Sequence, residues 1–160
     1  MKRIHMESRL VRQEDSARHA CRTVRLSDRH NLSILLYAAF RGTIDDEGER
    51  LADARAEIDR TFTGKYGRLL PDCSFVYQEE ELLLSACLIS CSEPDRIPLV
   101  VFSMTHPQAQ RQGLARLLLR RSINALLDRG YKQLQLVVTD GNSPAQHLYA
   151  SLGFRPIDRS

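Results

Sequence analysis

No stretch of this 160-residue chain is apolar for anything near the ~20 consecutive residues that a bilayer-spanning helix needs. The opening residues, Met1-Lys-Arg-Ile-His-Met6, carry no hydrophobic signal core, so export is not expected. The four cysteines (Cys21, Cys73, Cys87 and Cys91) include no Cys-x-x-Cys pair. Cys87 and Cys91 share a face if they lie on one strand, but four residues of strand span roughly 13 Å, beyond the reach of a disulfide. Reduced thiols in a cytoplasmic protein are the expectation. The five histidines are dispersed, with no His-x-x-x-His or Cys–His cluster, and no metal site is expected. Net charge is only +3, too small to argue for nucleic acid by itself.

What is present is ordinary for one globular domain. The chain is 42% hydrophobic and 27% charged, and its length suits a single core. No internal repeat or low-complexity linker divides it. Residues 1–20 read as a basic lead or accessory segment, with Lys2, Arg3, Arg9, Arg12 and Arg18 against Glu7, Glu14 and Asp15. A flexible lead, an accessory helix and, more weakly, a nucleic-acid arm are its readings. Residues 21–160 read as one domain.

Within that domain Cys21–Leu26 alternates as a strand, and Ser27 or Asp28 caps a helix reaching Phe40. A Gly-bounded acidic turn, Arg41 to Gly48, leads to a second helix from about Glu49 to Phe62. Strands follow at Ser74–Gln78 and Leu82–Ser90, with Glu79-Glu80-Glu81 at the hairpin between them. The run Pro98-Leu-Val-Val-Phe-Ser-Met-Thr105 is β-branched and aromatic, a buried strand. After His106-Pro107 and a polar loop, Ala115, Leu119, Ile123 and Leu127 recur every four residues as a helix stripe, widened by Leu118 and Leu126 and closed at Gly130. Leu134–Thr139 is a further strand. Pro144 opens a helix ending at Gly153, and Phe154–Ile157 leaves room for a short last strand.

The strand, loop and helix start at 98–115 make a ready anion site. First-turn N–H groups lack intrahelical partners and the macrodipole adds positive charge. Gly113 lets the backbone approach a ligand and Arg111 adds a mobile charge. An ordinary helix start, with Gly113 serving only turn geometry, is the alternative. Taken together, Gln110-x-x-Gly113-x-Ala115, then Asn142-x-x-Ala145-x-x-Leu148-Tyr149, then Leu152-Gly153-Phe154 resemble the GNAT superfamily of N-acetyltransferases. The likeness is close over the C-terminal ~60 residues and rests on element order elsewhere.

The resemblance implies an α/β (α+β) fold with a mixed, mostly antiparallel sheet. Its two central parallel strands splay apart between flanking helices, and an acyl-CoA lies in the gap. It implies acetyl-CoA as co-substrate, its pyrophosphate on the amides around Gln110, Arg111, Gln112, Gly113, Leu114 and Ala115. The pantetheine arm would pair with the backbone of Phe102, Ser103, Met104 and Thr105. Asn142 is read either as a pantetheine ligand or as a helix cap. Tyr149 is read as the general acid that protonates the departing thiolate, or else as a core tyrosine packed with Leu148 and Phe154. His106, just after the central strand, is read either as a base, a role its pKa range suits, or as a cap of its own loop. Asp45, Asp46, Glu47 and Glu49 lie where the family covers its acceptor site, which favours a cationic acceptor.

The expected activity is acyl-CoA-dependent transfer, acetyl first, to a primary amine of a small molecule or peptide by direct attack in a ternary complex. O-acyl or longer-chain transfer, or a catalytically inactive CoA-binding regulatory module, are the alternatives. A homodimer is the default if the protein is oligomeric.

Overall fold

The computed structural model describes residues 2–15, 20–93 and 96–158. The chain runs β1 (Arg3–Arg9), β2 (Arg22–Thr23), α1 (Arg29–Phe40), α2 (Leu51–Phe62), β3 (Arg68–Leu69), β4 (Phe75–Glu79) and β5 (Leu82–Cys91). It continues through β6 (Leu99–Thr105), α3 (Leu114–Asp128), β7 (Gln133–Thr139), α4 (Ser143–Ser151) and β8 (Arg155–Pro156). One sheet orders these strands β2-β4-β5-β6-β7-β1-β8, with β3 on β5. Neighbours pair antiparallel except β6 and β7. No helix among the described residues is long and apolar enough to cross a membrane.

β5 is the spine of the sheet. Ser85 to Cys91 are all buried, because helices cover both faces, and a strand covered on both sides reads as a continuous apolar run. On one face the α3 stripe (Leu118, Leu119, Ile123, Leu126) packs with Cys87, Ile89, Leu134, Leu136, Val138 and Phe154. On the other, Leu32, Leu35 and Leu36 of α1 and Ile58 of α2 cover Val76, Leu83, Leu88 and Met104. All four cysteines are free thiols.

The central feature is the way β6 and β7 separate. They share a single registered pair, Leu99↔Gln135, and the Gln135 N–H donates to the Pro98 carbonyl at 2.9 Å. Beyond that point the ladder stops, and a cleft opens that is lined by both Val100–Ser103 and Leu136–Thr139. The mixed sheet with splayed parallel strands is therefore as expected.

The largest difference from the expected layout is at the N-terminus. Arg3–Arg9 is neither a lead nor an accessory helix but a strand, paired residue for residue with β7 from Arg3↔Thr139 to Arg9↔Gln133. Its alternation explains the placement: Met6 and Ser8 are buried, with Ile4 beside them against the α3–α4 core. The intervening charges hide that pattern, and the partner strand is more than a hundred residues away. Arg18, counted among the basic residues of this segment, lies outside the described residues.

Two smaller differences have local causes. The strand expected over Cys21–Leu26 shortens to Arg22–Thr23, because Leu26–Asp28 forms a 3-10 turn. There the Asp28 carboxylate accepts from the Arg25 N–H at 2.7 Å and takes both Arg22 guanidinium nitrogens at 2.8 and 2.9 Å. The short β3 was not expected. It lies close against the end of β5: a Cβ on Gly67, just before it, would sit 2.5 Å from the Ser92 nitrogen.

Candidate functional site

The parted strands leave a cleft of about 650 Å³, roofed on one side by α1, α2 and their connecting loop. Beyond Leu99 the β6 backbone has no registered partner on β7. An unpaired strand edge offers N–H and C=O groups to an extended ligand. Phe102 and Ser103 lie on this edge within the cleft.

From the far side, α4 delivers Asn142 and Tyr149 into the same cleft. Pro144 occupies its first turn, and Asn142 at the N-cap makes no side-chain capping bond. Tyr149 is 8% exposed, with its ring edge-on to Phe154 at 5.9 Å between centroids. Burial pushes its phenol up to about 12, an effect that the Ser103 side chain partly offsets and the Cys87 and Asp45 side chains reinforce. The group therefore stays protonated through the neutral range, as a proton donor must.

The candidate anion cradle lies beyond the end of β6. A 3-10 turn at Pro107–Ala109 leads to Gly113, the N-cap of α3, in the left-handed region at φ +77°. No side chain caps this helix, so its first-turn amides are left for a ligand. A Cβ on Gly113 would meet nothing within 4 Å, so the space above it is open. Arg111, Gln112 and Gly113 are exposed around it. These groups fit a diphosphate by the ordinary physics of helix N-termini.

The structure thus brings Phe102, Ser103, Asn142 and Tyr149 into one cleft, together with Asp45, Asp46, Glu47 and Glu49. Met104 and Thr105 continue the β6 edge, whose backbone has no registered partner on β7, while the Met104 side chain turns into the α1–α2 core and the Thr105 hydroxyl bonds that of Ser85 at 2.9 Å. The remaining candidates lie outside the cleft. His106 does not line the cleft; its Nδ1 accepts from the Gln108 N–H at 3.1 Å, capping its own turn. Gln110 to Ala115 form the separate cradle just described.

Most acids of the α1–α2 loop hold the loop itself. Asp46 accepts from the Gly42 and Gly48 N–H groups, both at 2.8 Å, which keeps its carboxyl below the usual range. Glu49 accepts from the Glu47 N–H and Asp53 from the Arg50 N–H. Asp45 differs: its Oδ1 accepts from the Thr139 hydroxyl at 2.6 Å, tying the loop to the end of β7. On the α2 side of the cleft lining, burial alone would raise the Glu57 carboxyl, but Tyr66, Arg60 and Lys65 donate to it and hold it low.

Residues 71–154 match the model of the acetyltransferase (GNAT) family. The chain belongs to the GNAT acetyltransferase family. A mycothiol acetyltransferase of Thermomonospora curvata is 43% identical over 61 residues, 38% of this chain and 20% of that protein. The match thus spans a fifth of that relative's length. Among solved structures, the ribosomal-protein-S18-alanine N-acetyltransferase of Escherichia coli superposes with a TM-score of 0.67 at 24% identity, covering 87% of this chain and 79% of that one. An aminoglycoside N-acetyltransferase, AAC(6')-Iy in complex with CoA, superposes with a TM-score of 0.64 at 13% identity, covering 88% and 90%. At these identities the structural likenesses speak for the GNAT fold.

Thr139 and Arg3 are among the cleft residues missed from sequence. Thr139 read only as a strand end, and its tie to Asp45 crosses 94 residues. Arg3 lines the cleft from β1. Reading the Ile4, Met6, Ser8 alternation as a strand would have put Arg3 on the opposite face.

Proposed function

We propose that this GNAT domain transfers an acyl group, acetyl in the first instance, from acyl-CoA to a primary amine by direct attack in a ternary complex. The observation that carries the reading is Tyr149: a buried, protonated phenol in the cleft between the parted strands, facing an acidic loop. The CoA thioester supplies the activated carbonyl and the thiol leaving group. Its diphosphate suits the first-turn amides of α3 at Gly113 to Ala115, with Arg111 adding charge. Its pantetheine arm suits the free backbone edge at Phe102 and Ser103, with the Asn142 amide beside it. The amine nitrogen forms a bond to the acyl carbon as the carbon–sulfur bond breaks. The acceptor ammonium gives one proton to solvent before it attacks and the nitrogen gives up a second as the amide forms, while the Tyr149 hydroxyl protonates the departing sulfur and regains its proton from solvent. His106, outside the cleft and engaged with its own turn, has no part in this reading.

The test is release of free CoA thiol from acetyl-CoA in the presence of an amine panel, with acetylated amine identified by mass spectrometry. Amine-dependent thiol release supports the reading. Thiol release without any acetylated amine, or none above the rate without protein, contradicts it.

A further inference from the structure

Charges in the cleft fall into engaged and free sets, and the free set is small. Of the four cations lining it, Arg60 and Lys65 bond Glu57, and Arg41 donates to the Tyr37 hydroxyl at 2.9 Å while lying over its ring. The Arg3 side chain alone has no hydrogen bond or ion pair among the described residues. Of the acids, Asp46, Glu49, Asp53 and Glu57 are held by the bonds given above. Glu47 is exposed on the loop, whereas Asp45 is half-buried and anchored to the sheet, with Oδ2 accepting no bond among the described residues.

These two free charges flank one residue. Arg3 pairs with Thr139 across the β1–β7 ladder, and the Thr139 hydroxyl holds Asp45. Cα atoms of directly opposed antiparallel residues are roughly 4.5–5.5 Å apart, so both groups act on the same end of the cleft. They form no ion pair with each other. Asp45 is also near enough to Tyr149 to act on its phenol. Phe40 and Phe102, 6.3 Å apart between centroids, give the cleft an apolar wall.

We infer that the acceptor is an amino-acid-like zwitterion, its ammonium held by Asp45 and its carboxylate by Arg3. This rests on the acyl-transfer reading above and narrows it from amines in general. A planar guanidinium suits a carboxylate in a two-point contact. A site with such a donor discriminates strongly against an analogue lacking the carboxylate, because the donor is then left unmatched. Arg3 is thus a specificity-determining residue on a strand distant in sequence from the rest of the site.

The experiment compares kcat/KM for a panel of apolar amino acids, their amides and the corresponding simple amines, exemplified by leucine, leucinamide and 3-methylbutylamine. Wild type is expected to favour the amino acids over the amides by about 10–100-fold. Arg3→Gln should lower kcat/KM for the amino acids by at least ~10-fold through KM, leave the amides within about twofold, and regain part of the loss as Arg3→Lys. Asp45→Asn should weaken all acceptors. Melting temperature checks that the exposed Arg3 position tolerates exchange. Equal or better turnover of amides or simple amines, an equal effect of Arg3→Gln on all three classes, or no turnover of any amino acid overturns the proposal. Amide or amine turnover without a zwitterion preference overturns it while leaving acyl transfer to amines intact. Loss of acyl transfer altogether contradicts both.

Discussion

Replacing Tyr149 by Phe separates chemistry from packing. The exchange removes one oxygen and keeps the ring, with its buried face and its edge contact to Phe154. Losing one hydrogen bond costs about 0.5–1.5 kcal/mol of stability. For a domain of this size each ~1 kcal/mol moves Tm by roughly 2–4 °C, so Tm should fall by less than about 6 °C. Loss of a general acid, by contrast, should lower kcat by about 10²–10⁴-fold, a barrier increase of roughly 3–5 kcal/mol. The two effects differ enough that a thiol-release assay beside a melting curve separates them. A Tyr149→Ala exchange would not, since losing the whole buried ring costs about 3–5 kcal/mol of stability. Because burial holds the phenol near 12, the wild-type kcat should also show no falling alkaline limb from this group below about pH 10. A Tyr149→Phe variant turning over within about threefold of wild type would make Tyr149 a core tyrosine and not the acid.

Three further predictions concern the scaffold. Leu88, at 0% exposure on the spine strand, should cost about 2–5 kcal/mol as Leu88→Ala, read by urea unfolding; a loss under ~1 kcal/mol would contradict the packing described. Gly67→Ala should destabilise by at least ~1–3 kcal/mol, since the added Cβ meets the Ser92 backbone at φ +97°. A Tm unchanged from wild type would count against that close approach. Burial alone would raise the Asp28 carboxyl, but the Arg22 guanidinium and the Arg25 N–H outweigh it and hold it below the usual value. A depressed carboxyl stabilises the fold above the unfolded-state pKa of ~4 and loses that contribution as pH falls through the folded value. Stability of wild type should therefore drop more steeply on acidification below about pH 4 than that of Asp28→Asn; parallel curves would contradict the assignment.

Local pattern carried far where an element's partners do not matter to its recognition. The β-branched run at Leu99–Thr105, the four-residue stripe of α3 and the Pro144–Gly153 bracket of α4 all announce themselves within a dozen residues. The glycine turn before α3 was legible for the same reason. Arg3–Arg9 was not, because its buried residues alternate with charges and its pairing partner is β7. The splay was expected from family likeness alone; no property of Leu99 or Gln135 shows that their pair is where the ladder stops. Asp45 was visible as one of several acids in a loop. Only its bond to Thr139, and the bonds that occupy Asp46, Glu49 and Asp53, single it out. His106 shows the converse: a residue of suitable chemistry at a suitable place in the chain, whose ring faces its own turn.

Calorimetric titration of acetyl-CoA into the wild type and Gly113→Trp asks whether the turn before α3 holds the CoA diphosphate. The left-handed φ makes any side chain at position 113 cost about 1–2 kcal/mol, and the open space above it leaves the indole to lie across the cradle. Roughly micromolar binding by the wild type, lost in a variant whose circular dichroism is unchanged, is the expected result. A wild type that does not bind acetyl-CoA, or a folded Gly113→Trp that binds it as tightly, would contradict the assignment of the cradle.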